Sequence, residues 1–265
     1  MGKKSINNQH IMITGASGGL GEKIAYEVAK RGAIPILVAR TEEKLHSIAE
    51  DIQRLYNITC YTYVLDISDL NQINIVIQQI IQDVGYIDVL INNAGFGVFE
   101  AVAETSMETI SSMFQVNVLG LIACTKAVLP TMLKRNRGHI INVASQAGKL
   151  ATPKSSGYAA SKHAVLGFTN GLRMEVAKTN IVVTAINPGP IQTNFFTIAD
   201  QSGTYEKSVG RFMLHPQYVA EKIVNVLGTS KREVNLPRWM GIGSTFYQLA
   251  PGLVEKIAGD ALNKK

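Results

Sequence analysis

Tyr158 and Lys162 stand four positions apart in the stretch Ser156-Gly157-Tyr158-Ala159-Ala160-Ser161-Lys162. On a helix they would share one face, about one turn from each other. An ammonium beside a phenol favours the phenolate and lowers the hydroxyl pKa from its reference value of about 10. Such a tyrosine is usable as a general acid or base near neutral pH. Alone, the spacing usually means no more than a half-buried ring beside a solvated amine. Its meaning depends on what else the chain brings to the same place.

Other residues in this chain have chemistry to offer. Thr14-Gly15-Ala16-Ser17-Gly18-Gly19-Leu20-Gly21 follows a short apolar run and opens a helical pattern. Glycines there let backbone N–H groups approach a pyrophosphate, and the helix N-terminus supplies a partial positive charge. The spacing is T-G-x-x-x-G-x-G rather than G-x-G-x-x-G. After the second apolar run comes Arg40, preceded by Ala39, where a ribose-binding carboxylate would otherwise stand. A guanidinium there binds a 2′-phosphate, which points to NADP in preference to NAD. Asp66 closes the third run; it can cap the next helix or touch adenine, and Asp69 is the better cap. Asn92-Asn93-Ala94-Gly95 closes the fourth run and Ser145 follows the fifth. Amides at such an edge often satisfy loop backbone, but in a parallel sheet that edge is also where ligands bind. Ser145 has no His-Asp pair placed as its base and no G-x-S-x-G elbow, which argues against a hydrolase. His139 and His163 read as structural or solvated.

The elements that must position these residues follow from periodicity. Strands are expected at His10–Thr14, Ile34–Ala39, Thr59–Leu65, Ile87–Ile91, His139–Val143, Ile181–Ile186 and Glu233–Leu236. Helical stripes lie between them: Leu20 to Val28, Glu42 to Leu55, Leu70 to Val84, Met107 to Leu133, Gly157 to Lys178 and Gln217 to Leu227. Strand and helix in alternation predict an α/β fold, a doubly wound parallel sheet with helices on both faces. Residues 191–214 are irregular and read as a mobile flap. Without an internal linker or repeat, residues 1–265 form one domain.

Hydrophobic residues make up 46% of the 265 and charged ones 17%, so the fold should bury a great deal, in a double-faced sheet or in subunit contacts. The net charge of +6 is scattered rather than blocked. That argues against nucleic acid and suits an anionic cofactor or substrate. Cys60 and Cys124 give neither metal spacing nor a disulfide framework, so no metal is expected and a reducing, cytoplasmic setting fits. Met1 to His10 is polar and basic, unlike a signal peptide, and Ile6 stands where a myristoylation motif wants Ser or Thr. No apolar run is expected to cross a bilayer. Residues 237–265 are richly apolar for a chain end. They read as subunit contact or core packing ahead of shallow membrane association, which Arg238, Lys256, Lys264 and Lys265 would assist.

From about Gln9 to Leu236 the ordered set of motifs resembles the short-chain dehydrogenases/reductases in their single-domain, Rossmann-type form. The set comprises Thr14–Gly21, Asp66, Asn92–Gly95, Asn117 in Gln115-Val116-Asn117-Val118, Ser145, Tyr158 with Lys162, and Pro188-Gly189 followed by Thr193. The resemblance implies roles. Tyr158 exchanges a proton with the substrate oxygen, and Lys162 lowers its pKa and binds the nicotinamide ribose. Ser145 hydrogen-bonds the substrate oxygen, and Asn117 holds a water linking Lys162 to solvent. Gly15, Ser17, Gly19, Leu20 and Gly21 contact the cofactor phosphates and adenosine ribose. Asp66 and Ile67 flank adenine, and Asn93, Ala94 and Gly95 border the adenosine and ribose. Pro188, Gly189, Ile191 and Thr193 hold the nicotinamide end. Gly18 departs from NADP-preferring relatives, which often carry a basic residue there, so 2′-phosphate recognition falls mostly to Arg40. The substrate would be a small carbonyl or alcohol. Phe96, Phe99, Phe195, Phe196 and Met213 read equally as plain packing or as the lining of an apolar pocket for it. A homodimer or homotetramer is implied. The rival reading is a non-enzymatic NADP-binding sensor or partner-binding protein, whose mark would be a broken tetrad; here Asn117, Ser145, Tyr158 and Lys162 are all present.

Overall fold

The structure, a computed structural model, describes residues 5–200, 203 and 209–256. Met1 to Lys4, part of the expected flap, and Lys264 with Lys265 lie outside the described residues. Among those described, seven strands form one sheet: β1 (His10–Thr14), β2 (Ile34–Ala39), β3 (Tyr61–Val64), β4 (Val89–Asn92), β5 (Gly138–Val143), β6 (Ile181–Pro188) and β7 (Glu233–Leu236). Their spatial order is β3-β2-β1-β4-β5-β6-β7, and every pairing is parallel, with Ile13 opposite both Leu37 and Ile91. The helices between them are α1 (Gly19–Ala29), α2 (Glu42–Tyr56), α3 (Leu70–Val84), α4 (Met107–Phe114), α5 (Leu121–Arg135) and α6 (Ser156–Glu175).

Strand side chains alternate between two cores, so the central strands are largely apolar on both faces. Ile11, Ile13, Ile91 and Ile186 face α1, α2 and the helix Pro216–Val224. Met12, Leu90, Ile140 and Val183 face α3, α5 and α6. Asp69 caps α3 as expected, its carboxylate accepting from the N–H groups of Asn71 (3.1 Å) and Gln72 (3.2 Å).

The differences from the expected elements have local causes. β3, a sheet edge with a partner on one side only, is shorter than Thr59–Leu65. β6 runs on to Pro188 because β7 continues to pair with it, Pro188 opposite Leu236. The stretch expected as one helix from Met107 carries a π-helical segment, Gln115–Gly120, between α4 and α5. The apolar tail is a helix, Arg238–Leu249, and it is not core packing: Trp239, Phe246 and Leu249 are 55%, 63% and 79% exposed. The helical run Met107–Arg135 is, against expectation, long and apolar enough to cross a bilayer by length and composition, with a mean hydropathy of 1.6. Here Cys124, Val128 and Met132 bury its apolar side beneath the sheet.

A chain of buried polar groups crosses the second core and fixes α5 and α6 against the sheet. Asn92 Nδ2 donates to Thr125 Oγ1 (3.1 Å) and to Asn142 Oδ1 (2.9 Å), and Asn142 Nδ2 donates to Thr169 Oγ1 (2.9 Å). Thr169→Val would leave the Asn142 amide short of an acceptor in a dry site. It should cost about 1–3 kcal/mol of stability in urea unfolding, and Thr169→Ser should recover most of the loss.

Candidate active site

Strand order reverses between β1 and β4, and a crevice opens at their C-terminal ends. Thr14 closes that crevice at its base. Its Oγ1 accepts from the N–H groups of Asn93 (3.0 Å) and Ala94 (3.1 Å). Asn93 Nδ2 in turn donates to the Thr14 carbonyl (3.0 Å) and the Gly15 carbonyl (3.4 Å). The turn after β1 is therefore held by the turn after β4. Gly15 has φ +67°, and a Cβ there would lie 2.9 Å from Ala94 Cα, so neither the conformation nor the space admits a side chain. Gly21 is pressed against the Gly15 carbonyl in the same way. Gly18 is different: it is extended, and nothing lies within 4 Å of where its Cβ would be. The turn thus packs tightly below and faces open space above, where the first N–H groups of α1 have no intrahelical acceptor. That arrangement fits a dinucleotide pyrophosphate.

The other expected residues fall along the same edge. The Leu20 and Ile67 side chains are buried in the two cores. Ser17 lies partly buried in the turn itself. Arg40, at the end of β2, is exposed and stands 3.8 Å from Asp66, at the end of β3. Burial alone would raise the Asp66 carboxyl pKa. The N–H and hydroxyl of Ser68, with the Arg40 guanidinium, outweigh that and hold it below the usual carboxylate range. At the opposite end of the crevice, Gly189 donates its N–H to Leu236 (2.6 Å), Ile191 bridges to Leu214, and Thr193 reaches back to within 3.6 Å of a Cβ placed on Gly19.

α6 forms the wall between these ends. It begins after Ser155, and its first turns bury Tyr158, Ser161 and Lys162. Lys162, 5% exposed, donates from Nζ to the Val143 carbonyl (3.0 Å) and lies 5.8 Å from the centre of the Tyr158 ring. Burial lowers its pKa from 10.5 to about 8. Asn117, on the π-helical segment, has its side chain fully engaged. Nδ2 donates to the Phe96 carbonyl (2.8 Å) and to Ser161 Oγ (3.0 Å), while Oδ1 accepts from the Phe96 N–H (3.0 Å). Gly95 fits between them: a Cβ there would stand 2.8 Å from Asn117 Oδ1 and 3.5 Å from Lys162 Nζ. Ser145 opens a turn whose Gly148 packs on the backbone of Lys162. Its Oγ accepts from the Ala147 N–H (3.0 Å) and donates to the Pro188 carbonyl at a long 3.4 Å. Phe99 and Phe195 close on the Tyr158 ring, with centroids at 5.6 Å and 5.7 Å. The structure thus brings Asn117, Ser145, Tyr158 and Lys162 to one end of the crevice and leaves Arg40 and Asp66 at the other.

Sequence reasoning missed a polar brace behind Ser145. Gln146 Nε2 donates to the Asn187 carbonyl (2.8 Å) and to Asn235 Oδ1 (3.2 Å), which also accepts from Asn187 Nδ2 (3.1 Å). The available signal was adjacency: Gln146 follows Ser145, and Asn187 precedes Pro188.

A glycine turn at a strand-order reversal, facing a lysine-backed tyrosine, defines a dinucleotide-binding site of one particular class. The chain belongs to the short-chain dehydrogenase family, whose model matches residues 9–202; by family it is an oxidoreductase. It is similar to dehydrogenase/reductase SDR family member 7B of Bos taurus, 34% identical over 271 residues that cover 98% of this chain and 83% of that one. It is also similar to the dehydrogenase/reductase SDR family protein 7-like of Anopheles gambiae, 36% identical over 242 residues, 88% of this chain and 76% of that one. Among solved structures, an alcohol dehydrogenase of Thermococcus sibiricus complexed with 5-hydroxy-NADP superposes with a TM-score of 0.78 at 25% identity, over 86% of this chain and 95% of that one. A short-chain dehydrogenase/reductase of Burkholderia phymatum in complex with NAD shares the fold with a TM-score of 0.86 at 22% identity, covering 94% and 96%.

The burial of Lys162 has a measurable consequence. The unfolded chain holds this proton up to about pH 10.5, the folded one only up to about pH 8, so folding releases it and stability rises with pH across that window. Lys162→Met, which keeps the volume without the charge, should raise the thermal midpoint at pH 7 and flatten the pH dependence between those values.

Proposed function

We propose that this protein is an NADP(H)-dependent oxidoreductase that moves a hydride between the nicotinamide and a carbonyl or hydroxyl carbon, with Tyr158 as the general acid/base. The observation that carries this reading is the buried Lys162 ammonium between the Val143 carbonyl and the Tyr158 ring. A positive charge kept in a dry site beside a phenol stabilises the phenolate left after proton donation. When bound, the nicotinamide supplies or accepts the hydride. Tyr158 gives a proton to the substrate oxygen in reduction and takes it back in oxidation. Ser145 exchanges its long bond to the Pro188 carbonyl for one to the same oxygen, so a donor is in place as negative charge develops. Asn117 keeps the Phe96 backbone and Ser161 in register around Lys162.

Support for NADP comes from Arg40, an exposed guanidinium whose pairing with Asp66 at 3.8 Å is loose enough to yield to a dianionic phosphate. Support for an apolar substrate comes from Phe99 and Phe195 packed on Tyr158, with Phe196 behind them. Leu119, Leu133 and Met174, left exposed on and beside α5 and α6, suit the contacts of a homodimer or homotetramer.

Two measurements test the reading. With a ketone or aldehyde substrate found by following NADPH absorbance, Tyr158→Phe should lower turnover by about 10²–10⁴-fold while NADPH affinity stays within a factor of two or so. Full turnover in this variant would show that the proton moves elsewhere. Separately, Arg40→Gln should weaken NADPH by about tenfold or more and leave NADH nearly unchanged; equal losses for the two would remove the NADP assignment.

A further inference from the structure

The helix Arg238–Leu249 has two unlike faces. Inward, Gly241 and Ser244 are buried, and Met240 lies against Gly189. Outward, Trp239, Ile242, Phe246 and Leu249 are 55–79% exposed. Their spacings of three and four residues place them on one stripe. Phe212, half exposed, extends the stripe with an edge contact to Trp239 at 5.8 Å. A single exposed leucine carries no message, but a continuous row of large apolar side chains marks a surface that meets something.

What it meets follows from the charge beside it. A cavity of about 870 Å³ lies between the helix Pro216–Val224, β7 and this same helix. Lys222, Lys231 and Arg238 line it, and Ile242 belongs to both the cavity and the stripe. Its carboxylate, Glu233, is already paired with Lys149. Helix Arg238–Leu249 itself carries no acidic residue. A second copy of the chain would bring these cations toward their own kind, on top of a net charge of +6. An anionic lipid surface meets them with opposite charge and admits the stripe to its headgroup boundary, where tryptophan and other aromatic side chains are favoured.

We propose that this helix docks flat on an anionic phospholipid bilayer, the stripe from Trp239 to Leu249 entering the interface and Lys222, Lys231 and Arg238 facing the lipid phosphates. The helix lies on the surface and does not span it.

Vesicles of phosphatidylcholine, with and without phosphatidylglycerol, test this with the full chain. The protein should sediment with the phosphatidylglycerol vesicles, bind phosphatidylcholine alone far more weakly, and show a blue shift of its tryptophan emission on binding, since Trp239 is the one tryptophan. Ile242→Ser with Phe246→Ser should cut the bound fraction by about tenfold or more, and Lys222→Glu with Arg238→Glu should abolish the preference for phosphatidylglycerol. Circular dichroism and turnover of a soluble substrate, both unchanged, would show that these variants fold. No binding to either vesicle, or equal binding to both, overturns the proposal. So does a light-scattering dimer that Ile242→Ser with Phe246→Ser converts to monomer with no vesicle binding in the parent, which would assign the stripe to a second copy.

Discussion

Taking an ammonium out of water costs several kcal/mol unless other groups answer it, and Lys162 is nearly sealed. Much of the surrounding architecture can be read as the answer. The Val143 carbonyl at the end of β5 accepts a hydrogen bond from one of its N–H groups. That contact is possible only because α6 lies close on β5, and α6 is held there by Asn142 and Thr169 deep in the second core. Gly95 is small because the Asn117 amide beside Lys162 occupies the space a side chain would need, and Gly148 because the Lys162 backbone does. The burial lowers the lysine pKa to about 8, so the protein keeps a charge on terms it would not choose for stability alone. Such concessions tend to sit at functional sites.

Much of this was legible from residue types. Apolar runs broken by glycine-rich turns gave the sheet, because a strand buried on both faces has to be apolar throughout. Asp69 was recognisable as a cap because a carboxylate ahead of a helix has donors waiting for it. That Tyr158, Lys162 and Ser145 lie along one sheet edge was legible because Tyr158 and Lys162 carry a local spacing and Ser145 ends a strand. What stayed hidden depends on contacts between distant segments. Thr14 looks like an ordinary strand end until Asn93, 79 positions away, is seen folded onto it. Gln146, Asn187 and Asn235 have no common pattern in the chain, yet they form one brace. The tail concealed its helix behind glycines, and its apolar content suggested burial where the structure shows an outward stripe.

The two ends of the crevice are built on different terms. At one end, Arg40 is an exposed side chain loosely paired with Asp66, whose carboxylate is held by Ser68. At the other end, Asn117, Lys162 and Gly95 are packed to van der Waals contact, and Tyr158 is wedged between phenylalanines. The Arg40 end can thus absorb surface substitutions, whereas the wall around Lys162 changes only if several residues change together.

The π-helical segment Gln115–Gly120 sets the orientation of Asn117. Such a segment holds one residue more than the α-helical turn it replaces, so it works as a phase shift within an otherwise continuous rod. Side chains before it and after it are indexed to different partners: α4 packs toward the start of α6, while α5 answers to α3 and the sheet. Losing one residue there would return the rod to a single phase and swing everything on one side of it by roughly 100°. The Asn117 amide would then turn away from Phe96 and Ser161 while every residue of the tetrad remained in the chain. A homologue could therefore keep all four residue types and still lack the site, through a change in length alone.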